Sequence, residues 1–178
     1  MLSLIIGGAA SGKSEFAENH VFSLSGDRIY LACMEPSGES AAARIQRHRL
    51  LRQDKGFTTL ELYRDFKAAD PALLRDKNIL LEDIPNLAAN IMFGGKESLS
   101  AGETTEQVIR ELEYLISLCR HLTVVTGEIS SDSLLYDTLT EAYRQALGRI
   151  GCRFASNADY VAEICAGLPN VLKDHRPL

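Results

Sequence analysis

The sequence offers no uninterrupted apolar run near the roughly 20 residues that a membrane-crossing helix requires. Its opening residues, Met1 to Gly8, show neither a basic stretch nor a small-residue cleavage site, so a cytoplasmic protein without a membrane span is expected. Cysteine is sparse. Cys33, Cys119, Cys152 and Cys165 stand too far apart for a CxxC pair, which argues against a zinc knuckle or a dithiol redox motif and leaves buried free thiols as the default. Positive charge is also short: 19 Lys and Arg against 24 Asp and Glu give a net charge of −5. An extended phosphate-backbone interface, and with it a nucleic-acid partner, is therefore not expected, and any anionic ligand has to be met by a local cluster. With 13 glycines and 5 prolines among 178 residues, the chain is neither collagenous nor of low complexity.

What remains is the composition of a globular chain, 46% hydrophobic and 24% charged, sufficient for a core and expected to form one nucleotide-binding domain over residues 1–178. Short apolar runs alternate with helical stretches, the pattern of parallel strands joined by helices, so the fold class is α/β. Strands are expected at Leu2–Ile6, Arg28–Cys33, Asn78–Leu81, Leu122–Thr126 and Tyr160–Cys165, with Phe57–Leu62 as a further one and Val171–Lys173 as a short last one. The continuous apolar character of Ile79–Leu81 and Leu122–Val125 suits strands covered on both faces. Helices are expected at Lys13–Leu24, Glu39–Gln53, Asp65–Asp76, Ile84–Phe93, Thr105–His121 and Leu135–Ala155. In the fifth, Val108, Leu112, Leu115, Ile116 and Cys119 recur at helical spacing, a stripe that reads as core. Gly94 to Gly102 reads as a loop and Gly167 to Asn170 as a turn.

Directly after the first strand stands Gly7-Gly8-Ala9-Ala10-Ser11-Gly12-Lys13-Ser14, a match to GxxxxGK[ST] in the strand-before, helix-after setting that this motif demands. Glycines let the backbone N–H groups converge on phosphate oxygens, the helix start adds its positive dipole end, Lys13 brings a point charge toward the β and γ phosphates, and the Ser14 hydroxyl is suited to Mg²⁺. Such sites also need an acid at the end of a buried strand to hold the metal. Glu82 in Ile79-Leu80-Leu81-Glu82-Asp83 is the first candidate and Asp83 the second.

The Glu39–Gln53 stretch is rich in helix formers yet poor in core residues. At 100° per residue Arg44, Arg47, His48 and Arg52 share a broad face, with Arg49 near its edge. Clustered guanidinium groups in an acidic chain suit an anion site, although a solvated surface helix with a bystander histidine fits the spacing equally. A neutral imidazole is also a nucleophile, which makes His48 a possible covalent phosphate carrier. His20 on the first helix, His121 closing a helix and His175 in a frayed tail read as structural.

Four blocks taken together, Gly-Gly-Ala-x-Ser-Gly-Lys-Ser at 7–14, Ala-Ala-Arg-Ile-Gln-x-His-Arg at 42–49, Leu-Leu-Glu at 80–82 and Val-Thr-x-Glu at 125–128, resemble in order and spacing the bifunctional adenosylcobinamide kinase/adenosylcobinamide-phosphate guanylyltransferases of cobalamin assembly. The resemblance runs from residue 1 to about residue 173. It implies a three-layer, RecA-like P-loop NTPase fold, mostly parallel, with a short C-terminal hairpin. It also implies GTP and ATP as substrates with Mg²⁺, a corrinoid acceptor, and a homo-oligomer, a form that can be a trimer. By the same resemblance His48 is the guanylylated histidine and Gly7–Ser14 hold the triphosphate, with Lys13 in a catalytic role. Ala32, Cys33, Met34, Arg49, Leu50, Leu51, Arg52, Glu61 and Glu82 contact nucleotide or metal, Ser14 and Glu82 being the metal pair. The chain departs from the family pattern at Ala10, where Arg is common, at Cys33, at Ile129-Ser130-Ser131-Asp132, at Thr138 and at Gly151-Cys152; most of these lie in the second half and bear on the acceptor more than on the nucleotide. Two other readings stand beside this one. One is another small-molecule P-loop kinase or NTPase with His48 incidental, the other a nucleotide-sensing module without enzymatic activity.

Overall fold

The alternating pattern folds, in a computed structural model, into a seven-stranded sheet of order β3-β2-β4-β5-β1-β6-β7; residues 1–36, 52–128 and 136–176 are described. The strands are β1 (Leu2–Gly7), β2 (Arg28–Ala32), β3 (Phe57–Glu61), β4 (Asn78–Glu82), β5 (His121–Gly127), β6 (Tyr160–Cys165) and β7 (Leu168–Asp174). All neighbours pair in parallel except β6 and β7, which form an antiparallel hairpin. The helices are α1 (Lys13–Phe22), α2 (Pro71–Leu74), α3 (Ile84–Phe93), α4 (Ala101–Leu118) and α5 (Thr138–Asn157). The α/β, mostly parallel P-loop architecture with a terminal hairpin is as expected.

Period-two alternation on buried strands divides the core into two layers. On one face Ile5, Tyr30, Leu80, Val125, Ala162 and Ile164 pack against Ala17 and Val21 of α1. On the other Leu4, Leu31, Ile79, Leu81, Leu122 and Val124 meet α3, α4 and α5 through Leu87, Ile91, Val108, Leu112, Ile150 and Phe154. Leu80, Leu81, Leu122 and Val124 have no exposed surface, which is why these runs read as apolar without alternation.

Element ends follow local chemistry. Ser100 caps α4 and exchanges hydrogen bonds with Glu103 in a reciprocal box, worth about 1 kcal/mol, so the helix begins at Ala101 rather than Thr105. It stops at Leu118, and His121 opens β5 instead of closing a helix. The helix expected over Asp65–Asp76 is absent: a 3₁₀ turn at Phe66–Ala68 and the single turn α2 replace it. Asp65 and Asp70 each cap a new start, and the residue before Pro71 is driven out of the helical region. The turn expected at Gly167–Asn170 lies one step earlier, at Ala166 and Gly167, both with positive φ, and Leu168 already belongs to β7. Cys33 is buried, but Cys152 and Cys165 are exposed and Cys119 partly so, all four being free thiols. The tail is tied down where fraying was expected, His175 N–H donating to Asp159 O at 2.7 Å. Residues 37–51 lie outside the described residues, so nearly all of the Glu39–Gln53 helix does as well.

Candidate active site

Parallel strands deliver their carboxyl ends to one edge of a sheet, where α/β folds bind ligands. Here that edge gathers Gly7 from β1, Ala32 from the end of β2 with Cys33 and Met34 after it, Glu61 from β3, Glu82 from β4 and Glu128 after β5. Register puts Ala32 opposite both Glu61 and Glu82. Glu128 N–H donates to Gly7 O at 3.1 Å, and Cys33 N–H to Glu82 O at 3.0 Å.

The loop from Gly7 to Ser14 curls tightly. Gly12 sits at the start of α1 with φ 89°, a left-handed conformation that a side chain resists, and Ala10 also has positive φ. A Cβ on Gly7 would collide with Ser11 Oγ and meet Ile164 O at 2.9 Å; one on Gly12 would meet Gly167 Cα at 3.1 Å. The hairpin turn thus forms one wall of the loop, and Gly167 N–H donates to Ser11 O at 2.8 Å. Lys13 Nζ folds back to Gly8 O at 3.1 Å, and Ser11 Oγ is enclosed without a hydrogen-bond partner among the described residues.

β5 lies between β1 and β4, yet Ser14 Oγ donates to Glu82 Oε1 at 2.5 Å. Part of Glu82 reaches solvent, but its Oε2 has almost no accessible surface and no hydrogen-bond partner among the described residues. Burial pushes the carboxyl up to about 7; the Ser14 hydrogen bond works against that rise and the charge of Asp83 adds to it. The donor set, one hydroxyl and one carboxylate with an orphaned oxygen, suits Mg²⁺, which binds protein through few oxygens and completes its shell with water and substrate phosphates. Among the described residues no cluster of three or more His, Cys, Asp or Glu competes as a metal site. The second candidate acid, Asp83, caps α3 through Asn86 N–H at 2.9 Å.

Of the other residues expected here, Ala32, Cys33 and Met34 lie at the edge, with Cys33 O held by Asn90 Nδ2 at 2.7 Å. Burial keeps the Cys33 thiol protonated, well above its ordinary value. Glu61 is exposed at the edge and accepts from the Tyr63 hydroxyl at 3.3 Å. Arg52 is buried, its guanidinium carbon 3.3 Å from the centre of the Tyr30 ring. His48, Arg49, Leu50 and Leu51 lie outside the described residues, as do Ile129–Asp132.

Sequence reasoning missed Tyr30, Glu18 and Lys55. Glu18 of α1 is 1% exposed and pairs with Lys55 Nζ at 2.8 Å. Its signal was its place one helical turn after Ser14, beside Ala17 and Val21, in a helix with scarcely any apolar face.

A family model described as cobinamide kinase / cobinamide phosphate guanyltransferase matches residues 3–172. The chain is 31% identical to the bifunctional adenosylcobalamin biosynthesis protein CobU of Salmonella typhimurium strain LT2, over 94% of this chain and 97% of that protein. It is 29% identical to the protein of the same description from Escherichia coli K12, over 94% and 97% of the two chains. No helix among the described residues is long and apolar enough to cross a membrane.

Proposed function

The chain belongs to the cobinamide kinase / cobinamide phosphate guanyltransferase family, and from that premise we propose a two-step transferase, acting as one nucleotide-binding domain over residues 1–178, that phosphorylates adenosylcobinamide and then links GMP to the new phosphate. The observation that carries the proposal is the Ser14–Glu82 contact at the mouth of the Gly7–Ser14 loop. It puts a hydroxyl and an enclosed carboxylate beside the lysine and loop amides that would grip a triphosphate.

In the first transfer the acceptor hydroxyl oxygen attacks the γ phosphorus of ATP or GTP. The bond to the β–γ bridging oxygen breaks, the hydroxyl proton is released and the nucleoside diphosphate leaves. Lys13 and the loop N–H groups hold the phosphates in line, and placement supplies most of the rate. Ser14 and Glu82 would hold Mg²⁺, which when bound neutralises charge on the phosphate oxygens. In the second transfer a ring nitrogen of His48 attacks the α phosphorus of GTP and pyrophosphate leaves. A phosphate oxygen of the phosphorylated acceptor then displaces the imidazole, giving the GDP-linked product and free His48. Ala32–Met34, Arg49–Arg52 and Glu61 are the proposed nucleotide contacts. The exposed apolar side chains of edge strand β7, Leu168, Val171 and Leu172, favour a homo-oligomer, with a trimer as the proposed form.

Incubation with α-labelled GTP should leave acid-labile, alkali-stable label on the protein, and adding adenosylcobinamide with ATP should discharge it into a GDP-linked corrinoid seen by mass spectrometry. Label undiminished in His48→Ala would refute the histidine assignment.

A further inference from the structure

Tyr30 stands in the middle of β2, 4% exposed, on the sheet face covered by α1. The edge of Phe57 meets its ring at 6.2 Å and 85°. Its register partner on β4 is Leu80, so two residues further along the same face comes Glu82, beside which the Tyr30 hydroxyl lies. Glu82 in turn holds Ser14. A continuous run of contacts therefore leads from the phosphate loop to Tyr30.

On that ring rests Arg52, 5% exposed. Burial of a cation usually requires a carboxylate, but Arg52 Nε and Nη1 are enclosed with no hydrogen-bond partner among the described residues. Three residues on, Lys55 has its carboxylate, Glu18, so α1 had an acid to give and gave it elsewhere. A π face and a carboxylate hold a guanidinium differently. A carboxylate occupies the N–H edge and cancels the charge; a ring attracts the flat face and leaves the edge donors unpaired and the charge uncancelled.

We propose that Tyr30 is a positioning residue for nucleotide binding: its ring holds the Arg52 guanidinium buried above its centre, leaving Nε and Nη1 as enclosed, unpaired donors among the described residues that a phosphate oxygen of the nucleotide would satisfy. The inference rests on the reading of Arg52 as a nucleotide contact and adds the residue that sets its orientation. Lysine would not replace Arg52, because an ammonium group has neither the flat face nor the paired donors.

The test is a double-mutant cycle on the full-length protein, read as Kd for GTP by calorimetry without corrinoid and as KM and kcat for guanylylation. Tyr30→Phe keeps the ring and should stay within about threefold of the parent. Tyr30→Leu and Arg52→Met should each weaken GTP by about tenfold, the order of a desolvated cation–π contact, with KM moving more than kcat. The combined variant should be no weaker than either one, since both changes remove one device. Parental affinity in Tyr30→Leu, or additive losses in the combined variant, would overturn the proposal. Should Tyr30→Leu fail to fold, Arg52→Lys carries the test: at least fivefold weaker binding supports the flat stack, and parental affinity overturns it. These outcomes are distinct from a parent protein that binds GTP but forms neither labelled enzyme nor corrinoid product, which would defeat the functional reading and leave the Tyr30 result standing.

Discussion

The Ser14 hydroxyl and the Glu82 carboxylate meet at 2.5 Å although β1, which leads into the helix of Ser14, and β4, which carries Glu82, are not neighbours in the sheet. α1 crosses above β5 and closes the gap. The carboxylate that receives Ser14 is enclosed on its other oxygen, and burial is the largest influence on its protonation.

Such a carboxyl lowers folding stability once ionised. With its value raised from 4.5 to about 7, the folded state holds the proton longer than the unfolded chain, so stability declines as pH climbs through that window and the full cost is present above it. Glu82→Gln in metal-free protein should be more stable than the parent at pH 8, by up to about 3 kcal/mol at 1.36 kcal/mol per pKa unit. The gap should shrink as pH falls toward 4.5, while transferase activity is lost. Denaturant unfolding across pH 4.5–8 checks this; a variant less stable than the parent at pH 8 contradicts it.

The Glu18–Lys55 pair behaves in the opposite sense. Glu18 has 2% of its side chain exposed and Lys55 20%, so Lys55→Met strands a buried negative charge and should cost about 3–5 kcal/mol. Combining it with Glu18→Leu should restore most of that loss, because an apolar pair of similar volume needs no solvation. Urea melts of the three variants decide the matter, and equal losses in the single and combined variants would count against a desolvation cost.

Gly12 and Gly148 make a contrast. Gly12→Ala forces a side chain into φ 89° and against Gly167, at a cost of about 1–3 kcal/mol, and should abolish measurable GTP binding by moving the loop. Gly148 lies inside α5 with open space around it, so Gly148→Ala should stabilise by about 0.5–1 kcal/mol and leave GTP binding unchanged. Thermal melts and calorimetry on the pair provide the check; GTP binding by Gly12→Ala at parental strength would show that the loop tolerates the shift.

How much of this was legible beforehand depended on how local each cause is. The Gly7–Ser14 loop and Glu82 were readable because each is a short motif attached to one strand. The break at Pro71 is equally local, since the proline and the capping Asp70 before it both stand in the sequence. Tyr30 and Arg52 were harder, since nothing near Tyr30 in sequence says that residue 52 will lie across its ring. The burial of Glu18 depends on Lys55, 37 positions away, and nothing local to either residue announces the pair. Long-range pairings of this kind are set by strand order, which composition and periodicity leave open.

β1 pairs with β5 and β6, so during synthesis this strand has to wait for two much later ones before its edges are covered. The phosphate loop that follows it gains its Gly167 wall later still. During synthesis an unpartnered apolar strand is thus exposed until β5 and β6 have emerged, a vectorial hazard, and the nucleotide seat comes into being only once the turn between β6 and β7 has followed them.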